Sequence, residues 1–167
     1  MNESLRLLKI RRSIRVFQDR DIPKKQLEEI VDAARFAPTA RNIQPWEFVV
    51  ITDRQKLAQM ANLGQNAKFM EKAAACIAVF STDTNYFLED GCAATCNILL
   101  AATALGIGSC WIAGEKKPYC QEVCSLLNAP AGLKLISLIA LGYPQEEDAF
   151  KITEKKNLNE LLHWEKF

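Results

Sequence analysis

Three arginines surround one serine in the stretch RRSIRVF, residues 11–17. Guanidinium groups and a hydroxyl can converge on a phosphate, which they bind through charge-assisted and often bidentate hydrogen bonds. The same residues would serve equally well as a solvated basic turn that pairs with Asp or Glu. The motif by itself leaves both interpretations open for Arg11, Arg12, Ser13 and Arg15.

A second stretch whose side chains could bind a ligand is APTARNIQPW, residues 37–46. Thr39, Asn42 and Gln44 offer hydrogen-bonding side chains between two prolines, which stiffen the backbone. Loops of this composition commonly do no more than turn the chain. Donors and acceptors on a rigid loop also suit the edge of a heteroaromatic ring, so a ring-binding role stands beside the turn.

A third stretch is ALGIGSCWIAG, residues 104–114. Gly106 and Gly108 allow another group to approach the backbone closely, and the stretch ends in Trp111, an apolar pair and a glycine. A plain buried strand after a glycine-capped helix would look the same. The pattern GIG lacks the strand-to-helix order of a dinucleotide-binding loop, so we expect no pyrophosphate site here.

Composition restricts the classes of protein that could carry these motifs. The chain has 167 residues, of which 49% are hydrophobic and 25% are charged, and this predicts one domain over residues 1–167. The net charge is +1, so no global field recruits nucleic acid or an anionic membrane. The first residues include Glu3 and lack the continuous apolar run of a secretory signal. We therefore expect a cytoplasmic protein with no nucleic-acid partner.

Two further features could suggest a membrane segment or a metal site. Residues 91–114 carry no charge, but Asn97 and the GIGSC turn interrupt them, so they predict a buried helix and a buried strand. Six cysteines accompany a single histidine, His163. Two pairs, Cys92/Cys96 and Cys120/Cys124, have an i, i+4 spacing that differs from the usual C-x2-C zinc pattern. We therefore expect buried, reduced thiols, no metal, and a structural or interfacial His163.

Alternating helices and strands must position the three stretches. An amphipathic pattern predicts helices, with Pro23 beginning the second and Asp53 capping the third. The stretch AAACIAVFS is apolar on both faces, which is typical of a strand between two helical layers. Helices are predicted at residues 3–10, 23–38, 54–63, 85–105 and 119–128, and strands at residues 46–52, 73–81, 107–113 and 133–142. The amphipathic tail is predicted to lie on another subunit.

In this order, the three stretches, the later LGYP and the closing KKNLNELLHWEKF resemble the FMN-dependent nitroreductase family along nearly the whole chain. The resemblance implies an α+β fold with a sheet sandwiched by helices. It also implies a homodimer with exchanged terminal segments and one FMN in each of two sites at the subunit interface. The phosphate reading of RRSIRVF is thereby favoured.

The resemblance also assigns cofactor-binding residues. Arg11 and Ser13, with Arg12 beside them, would hold the phosphate and ribityl end, and Arg15 would lie near N1 and O2 of the flavin, where it would raise the reduction potential. The loop in residues 37–46 of the partner subunit would line the flavin ring. The end of the strand in residues 104–114 would lie against the ring. The remaining cofactor-binding positions are Pro38, Thr39, Ala40, Asn42, Gln44, Asn66, Trp111, Ile112, Ala113, Gly114, Lys155 and Lys156.

The implied activity is ping-pong turnover, in which NADH or NADPH passes hydride to flavin N5 and a small-molecule oxidant such as a nitroaromatic or quinone then takes its place. No catalytic side chain is required, because the cofactor carries the chemistry. Alternatives are a different reductive role, such as dehalogenation or coupling to a redox protein, and a non-catalytic FMN-binding module. The chain is short for the family, with Thr39 in place of the usual serine and Ala113 where some members have glutamate.

Overall fold

A four-stranded antiparallel sheet with the order β1-β2-β4-β3 forms the centre of the fold. The computed structural model describes residues 2–167. The strands are β1 (Trp46–Ile51), β2 (Ala75–Thr82), β3 (Gly108–Ala113) and β4 (Leu133–Gly142). All four were predicted from the sequence within two residues at each end.

The two central strands bury both of their faces. Along β2, Ala75, Ile77 and Val79 face one core cluster, whereas Cys76, Ala78 and Phe80 face the other. This alternation confirms the prediction of a strand between two helical layers. The pairing of β2 with β4 shifts by one residue between Val79 and Phe80, and Leu135 and Leu138 consequently lie on the same face.

Helices cover both faces of the sheet, as expected. They are α1 (Glu3–Ile10), α2 (Lys24–Ala34), α3 (Arg54–Ala61), α4 (Phe87–Ala104) and α5 (Cys120–Leu126). Helices α2 and α4 cover one face, and α3 and α5 cover the other together with a 3-10 helix, Gln65–Lys72, that was not predicted from the sequence. The Asp53 carboxylate accepts hydrogen bonds from the backbone N–H groups of Gln55 and Lys56, which confirms the predicted cap.

The cysteines depart in part from expectation, and the tail exposes its apolar side chains. All six cysteines are free in the described chain, but only Cys76 and Cys110 are buried, and Cys96 is exposed, so the expectation of uniformly buried thiols is wrong. The tail contains a 3-10 helix, Leu158–Glu160. Its apolar side chains are exposed in the single chain: Leu158, Leu161, Leu162, Trp164 and Phe167. Within residues 2–167, no helix is both long and apolar enough to cross a bilayer.

Candidate active site

The RRSIRVF segment runs along the edge of β3. Ser13 forms a parallel bridge with Ser109, and the Ile14 N–H donates a hydrogen bond to the Ser109 carbonyl at 2.9 Å. Glycines in the sheet make this approach possible, because a Cβ at Gly108 would lie 3.0 Å from Ile14 and one at Gly142 would lie 2.7 Å from the Phe17 ring. The RRSIRVF segment thus packs directly on the ALGIGSCWIAG stretch and on the glycine of LGYP.

A small pocket of about 150 Å³ lies beside this segment. Arg12, Ser13 and Arg15 line it together with Lys151 and Glu146. Nη1 of Arg12 is buried and has no hydrogen-bond partner among the described residues. A buried guanidinium N–H without an acceptor is costly, so this group favours an anion that can fill the gap.

A larger cavity of about 820 Å³, here called the β3 cavity, opens over β3 and the 3-10 helix Gln65–Lys72. Five predicted site residues line it: Arg15, Asn66, Trp111, Ile112 and Ala113. Arg15 therefore borders both this cavity and the small pocket. The volume lies within the usual range of roughly 300–1,000 Å³ for small-molecule sites.

The β3 cavity combines aromatic and cationic groups. The Arg15 guanidinium lies 5.8 Å from the centroid of the Phe69 ring, close enough for a cation–π contact. Burial raises the pKa of the Cys110 thiol, and the positive charge of Arg15 acts on that pKa in the opposite direction. A neutral thiol and a fixed positive charge thus lie side by side in the cavity wall.

The loop over residues 38–44 has an unusual backbone. Arg41, Asn42 and Gln44 have φ angles of 55°, 57° and 54°, which non-glycine residues rarely adopt. The Thr39 hydroxyl donates to Asp90 at 2.7 Å and accepts from the Gln44 N–H at 3.2 Å. These bonds hold the loop in a defined conformation, with the side chains of Asn42 and Gln44 joined at 3.1 Å.

Within one chain, several of the predicted site residues lie apart from the two pockets. The loop residues are absent from the walls of both, and Lys155 and Lys156 are exposed in the tail, whereas the nearby Lys151 does line the small pocket. The residues outside both walls are Arg11, Pro38, Thr39, Ala40, Asn42, Gln44, Gly114, Lys155 and Lys156.

Other residues of the β3 cavity were missed by the sequence analysis. Lys68 and Phe69 reach it from the 3-10 helix, and Lys117 and Tyr119 reach it from the loop after β3. The Tyr119 hydroxyl donates to the Ala113 carbonyl and so ties that loop to the end of the strand. The available signal was modest: a lysine lies next to an aromatic residue in AKF and two residues before one in KPY.

A different cavity, of about 930 Å³, lies between α2 and the β1 edge. Its charged groups are largely paired with one another: Arg54 contacts Asp21 at 2.7 Å and Arg35 contacts Asp32 at 2.6 Å. It contains none of the motif residues. In the described part of the chain, no group of three or more His, Cys, Asp or Glu side chains could hold a metal ion.

Comparison with known proteins shows the family of the chain. The sequence model of the protein family "Nitroreductase family" matches residues 8–75 and 63–143 of this chain. A "Putative NADH dehydrogenase/NAD(P)H nitroreductase" of Archaeoglobus fulgidus is 36% identical in an alignment of 174 positions that covers 100% of each chain.

Solved structures agree as well. An FMN-dependent nitroreductase of Clostridium difficile superposes with a TM-score of 0.89 at 28% identity, over 98% of this chain and 99% of the other. A Desulfovibrio desulfuricans protein crystallised in complex with FMN superposes with a TM-score of 0.83 at 30% identity, over 100% of this chain and 99% of the other. These matches, together with the α+β sheet between two helical layers, show that the chain belongs to the nitroreductase family.

Proposed function

We propose that this chain binds FMN and uses it to oxidise NADH or NADPH and to reduce a small-molecule acceptor such as a nitroaromatic or a quinone. The observation that carries the proposal is the position of Arg15, which borders both the small pocket and the β3 cavity. A ligand with an anionic end and a planar ring could therefore occupy both spaces at once. FMN has that shape and charge.

The small pocket fits a phosphate. Arg12 brings a buried N–H that lacks an acceptor, and Ser13 and Arg15 add a hydroxyl and a second guanidinium. Lys151 borders the same pocket and pairs with Asp148 at 3.2 Å. We assign the phosphate to this pocket, with Arg11 as an additional cation on the neighbouring backbone position.

The β3 cavity fits a ring system. Phe69, Trp111, Ile112 and Tyr119 supply apolar surface, and Asn66 supplies both a donor and an acceptor. FMN, when bound, supplies the two-electron chemistry at N5 of its ring. The side chains are left to bind and orient the reactants, and the charge of Arg15 stabilises negative charge in the cavity.

We further propose a homodimer in which each site is shared. The loop over residues 38–44 is rigidly held yet lies outside the pockets of its own chain, and the tail exposes five large apolar side chains. Apolar groups exposed together in this way are typical of a protein interface. In the dimer, the loop with Pro38, Thr39, Ala40, Asn42 and Gln44 would complete the partner's site, and Lys155 and Lys156 would close on a phosphate.

The test begins with the absorption spectrum of the purified protein, which should show bound flavin. Under anaerobic conditions, NADH or NADPH should bleach the flavin absorbance, and a nitroaromatic or quinone should restore it. Absence of flavin binding, including after incubation with FMN, would contradict the proposal.

The same experiment separates the alternatives. Flavin that binds but is not reduced by either nicotinamide would indicate a binding module or a protein supplied with electrons by a redox partner. Flavin that is reduced by a nicotinamide but reoxidised by a halogenated aromatic, with release of halide, and not by nitroaromatics or quinones, would indicate a reductive dehalogenase.

A further inference from the structure

The wall of the β3 cavity has an excess of positive charge. Arg15, Lys68 and Lys117 line it, and no Asp or Glu appears among its described lining residues. None of these three cations forms an ion pair within residues 2–167, although seven ion pairs are found elsewhere in the fold. The whole chain carries a net charge of only +1, so this excess is local to the cavity.

The three charges lie in different parts of the wall. Arg15 follows the bridge between Ser13 and Ser109, which lies near the beginning of β3, whereas Lys117 follows the end of that strand at Ala113. Ser109 and Ala113 are separated by about 13 Å along an extended strand. One negative charge held beside Arg15 would therefore leave Lys117 free to bind a second anionic group.

The loop after β3 holds Lys117 on the cavity side. The Lys117 N–H donates to the Gly114 carbonyl at 3.0 Å, and the Tyr119 hydroxyl donates to the Ala113 carbonyl. The preceding Lys116 has a φ of 67° and is absent from the cavity wall. Two adjacent lysines of the same charge thus differ in whether they face the cavity, which gives the chain an internal control.

We propose that Lys117 binds an anionic group on the acceptor, so that the preferred acceptors are aromatic compounds bearing a carboxylate or a similar negative charge. This specificity rests on the proposed flavin-dependent function and deepens it by naming the class of acceptor. Charge complementarity of this kind raises both affinity and the rate of encounter.

The test compares 4-nitrobenzoate with its neutral analogue 4-nitrobenzamide. Dithionite-reduced holoenzyme is mixed anaerobically with each compound, and reoxidation of the flavin is followed by stopped-flow absorbance. In Lys117→Gln, the second-order rate constant for 4-nitrobenzoate should fall by about tenfold relative to that for 4-nitrobenzamide, since only the carboxylate loses a charge-assisted hydrogen bond. Comparing this ratio between variants cancels the intrinsic difference in reactivity of the two compounds.

Binding supplies a readout that does not require turnover. Isothermal titration of the oxidised protein should show the same selective loss of 4-nitrobenzoate affinity in Lys117→Gln. Lys117→Arg should retain the preference, and Lys116→Gln should leave it unchanged.

Equal losses for both compounds, no loss, or the same loss in Lys116→Gln would overturn the proposal while leaving the flavin chemistry intact. A change confined to reduction by NADPH relative to NADH would also overturn it, because the anion would then belong to the reductant. If reduced flavin is reoxidised by no acceptor at all, the proposed function itself fails, and titration of 4-nitrobenzoate still decides whether Lys117 binds the anion.

Discussion

The Thr39 hydroxyl donates a 2.7 Å hydrogen bond to Oδ2 of Asp90, a carboxylate that is only 6% exposed. Oδ1 of the same carboxylate accepts from the Ala40 N–H at 3.4 Å. Because Asp90 lies in the first turn of α4, this bond fastens the loop over residues 38–44 to a helix packed on the central sheet. The left-handed residues of that loop are costly unless the surrounding structure holds them.

Removing this hydroxyl should loosen the loop. In Thr39→Val, the free energy of unfolding should fall by about 1–3 kcal/mol, because a buried carboxylate oxygen and the Gln44 N–H each lose a partner. Thr39→Ser keeps the hydroxyl and should remain close to the parent. Chemical denaturation measures the stability, and FMN affinity of the same samples should follow it if the loop completes a flavin site. Equal stability of the Val and Ser variants would contradict the role of the bond.

Removing the unpaired guanidinium of Arg12 should weaken the binding of FMN but not that of a flavin without a phosphate. Arg12→Met should weaken binding of FMN by tenfold or more and leave binding of riboflavin, which lacks the phosphate, unchanged. The flavin-free variant should be at least as stable as the parent, because a buried N–H without an acceptor has been removed. Fluorescence titration with both ligands measures the effect. Equal weakening of both would show that Arg12 does not bind the phosphate.

Arg15 should tune the flavin. In Arg15→Gln, the midpoint potential should fall by about 30 mV, the shift that corresponds to losing roughly 1.4 kcal/mol of selective stabilisation of the reduced form in a two-electron couple. Spectroelectrochemical titration provides the value. Lys25→Gln, an exposed charge change on α2, is the matched control and should leave the potential unchanged. An unaltered midpoint potential in Arg15→Gln would show that the charge of Arg15 does not act on the flavin.

Deleting residues 157–167 should affect assembly and cofactor together. The deletion removes all the exposed apolar side chains of the tail from Leu158 onward but keeps Lys155 and Lys156. Light scattering should report a monomer, and absorbance of the same sample should report lost FMN, since the proposed sites need two chains. A truncated monomer with full flavin occupancy would show that one chain suffices.

The free energy of unfolding at alkaline pH should depend on Cys76. Burial raises the pKa of this thiol from 9.0 to about 12. The folded state therefore keeps a proton that the unfolded state releases. The stabilisation is complete below pH 9 and is lost as the pH rises from 9 towards 12, at up to about 1.4 kcal/mol per pH unit.

Denaturation curves measured across this pH range test the assignment. Cys76→Ala should be less stable at neutral pH, because it leaves space in the core, but its stability should decline less steeply above pH 9. Cys96→Ala, at the exposed cysteine, is the control and should keep the parent slope. Parallel slopes for the parent and Cys76→Ala would contradict the prediction.

Local patterns in the sequence were sufficient for much of the fold. The alternation along β2 predicted a strand buried on both faces, and Asp53 predicted a helix start, because each signal depends on residues close together in the chain. The order of the motifs likewise predicted the family. The 3-10 helix Gln65–Lys72 was not predicted, although its buried Ala67 and Met70 are three residues apart, which is the spacing of one 3-10 turn.

Residue patterns along the chain were enough to predict the family and the order of the helices and strands. Which polar groups lie together depends on the tertiary structure. Thr39 and Asp90 are 51 residues apart in the chain. Lys68 precedes β2 and Lys117 follows α4, yet both line the β3 cavity. Of the adjacent Lys116 and Lys117, only the second faces that cavity, because a hydrogen-bonded turn at Gly114 sets its direction. Contacts of this kind depend on packing between distant segments, which no local periodicity encodes.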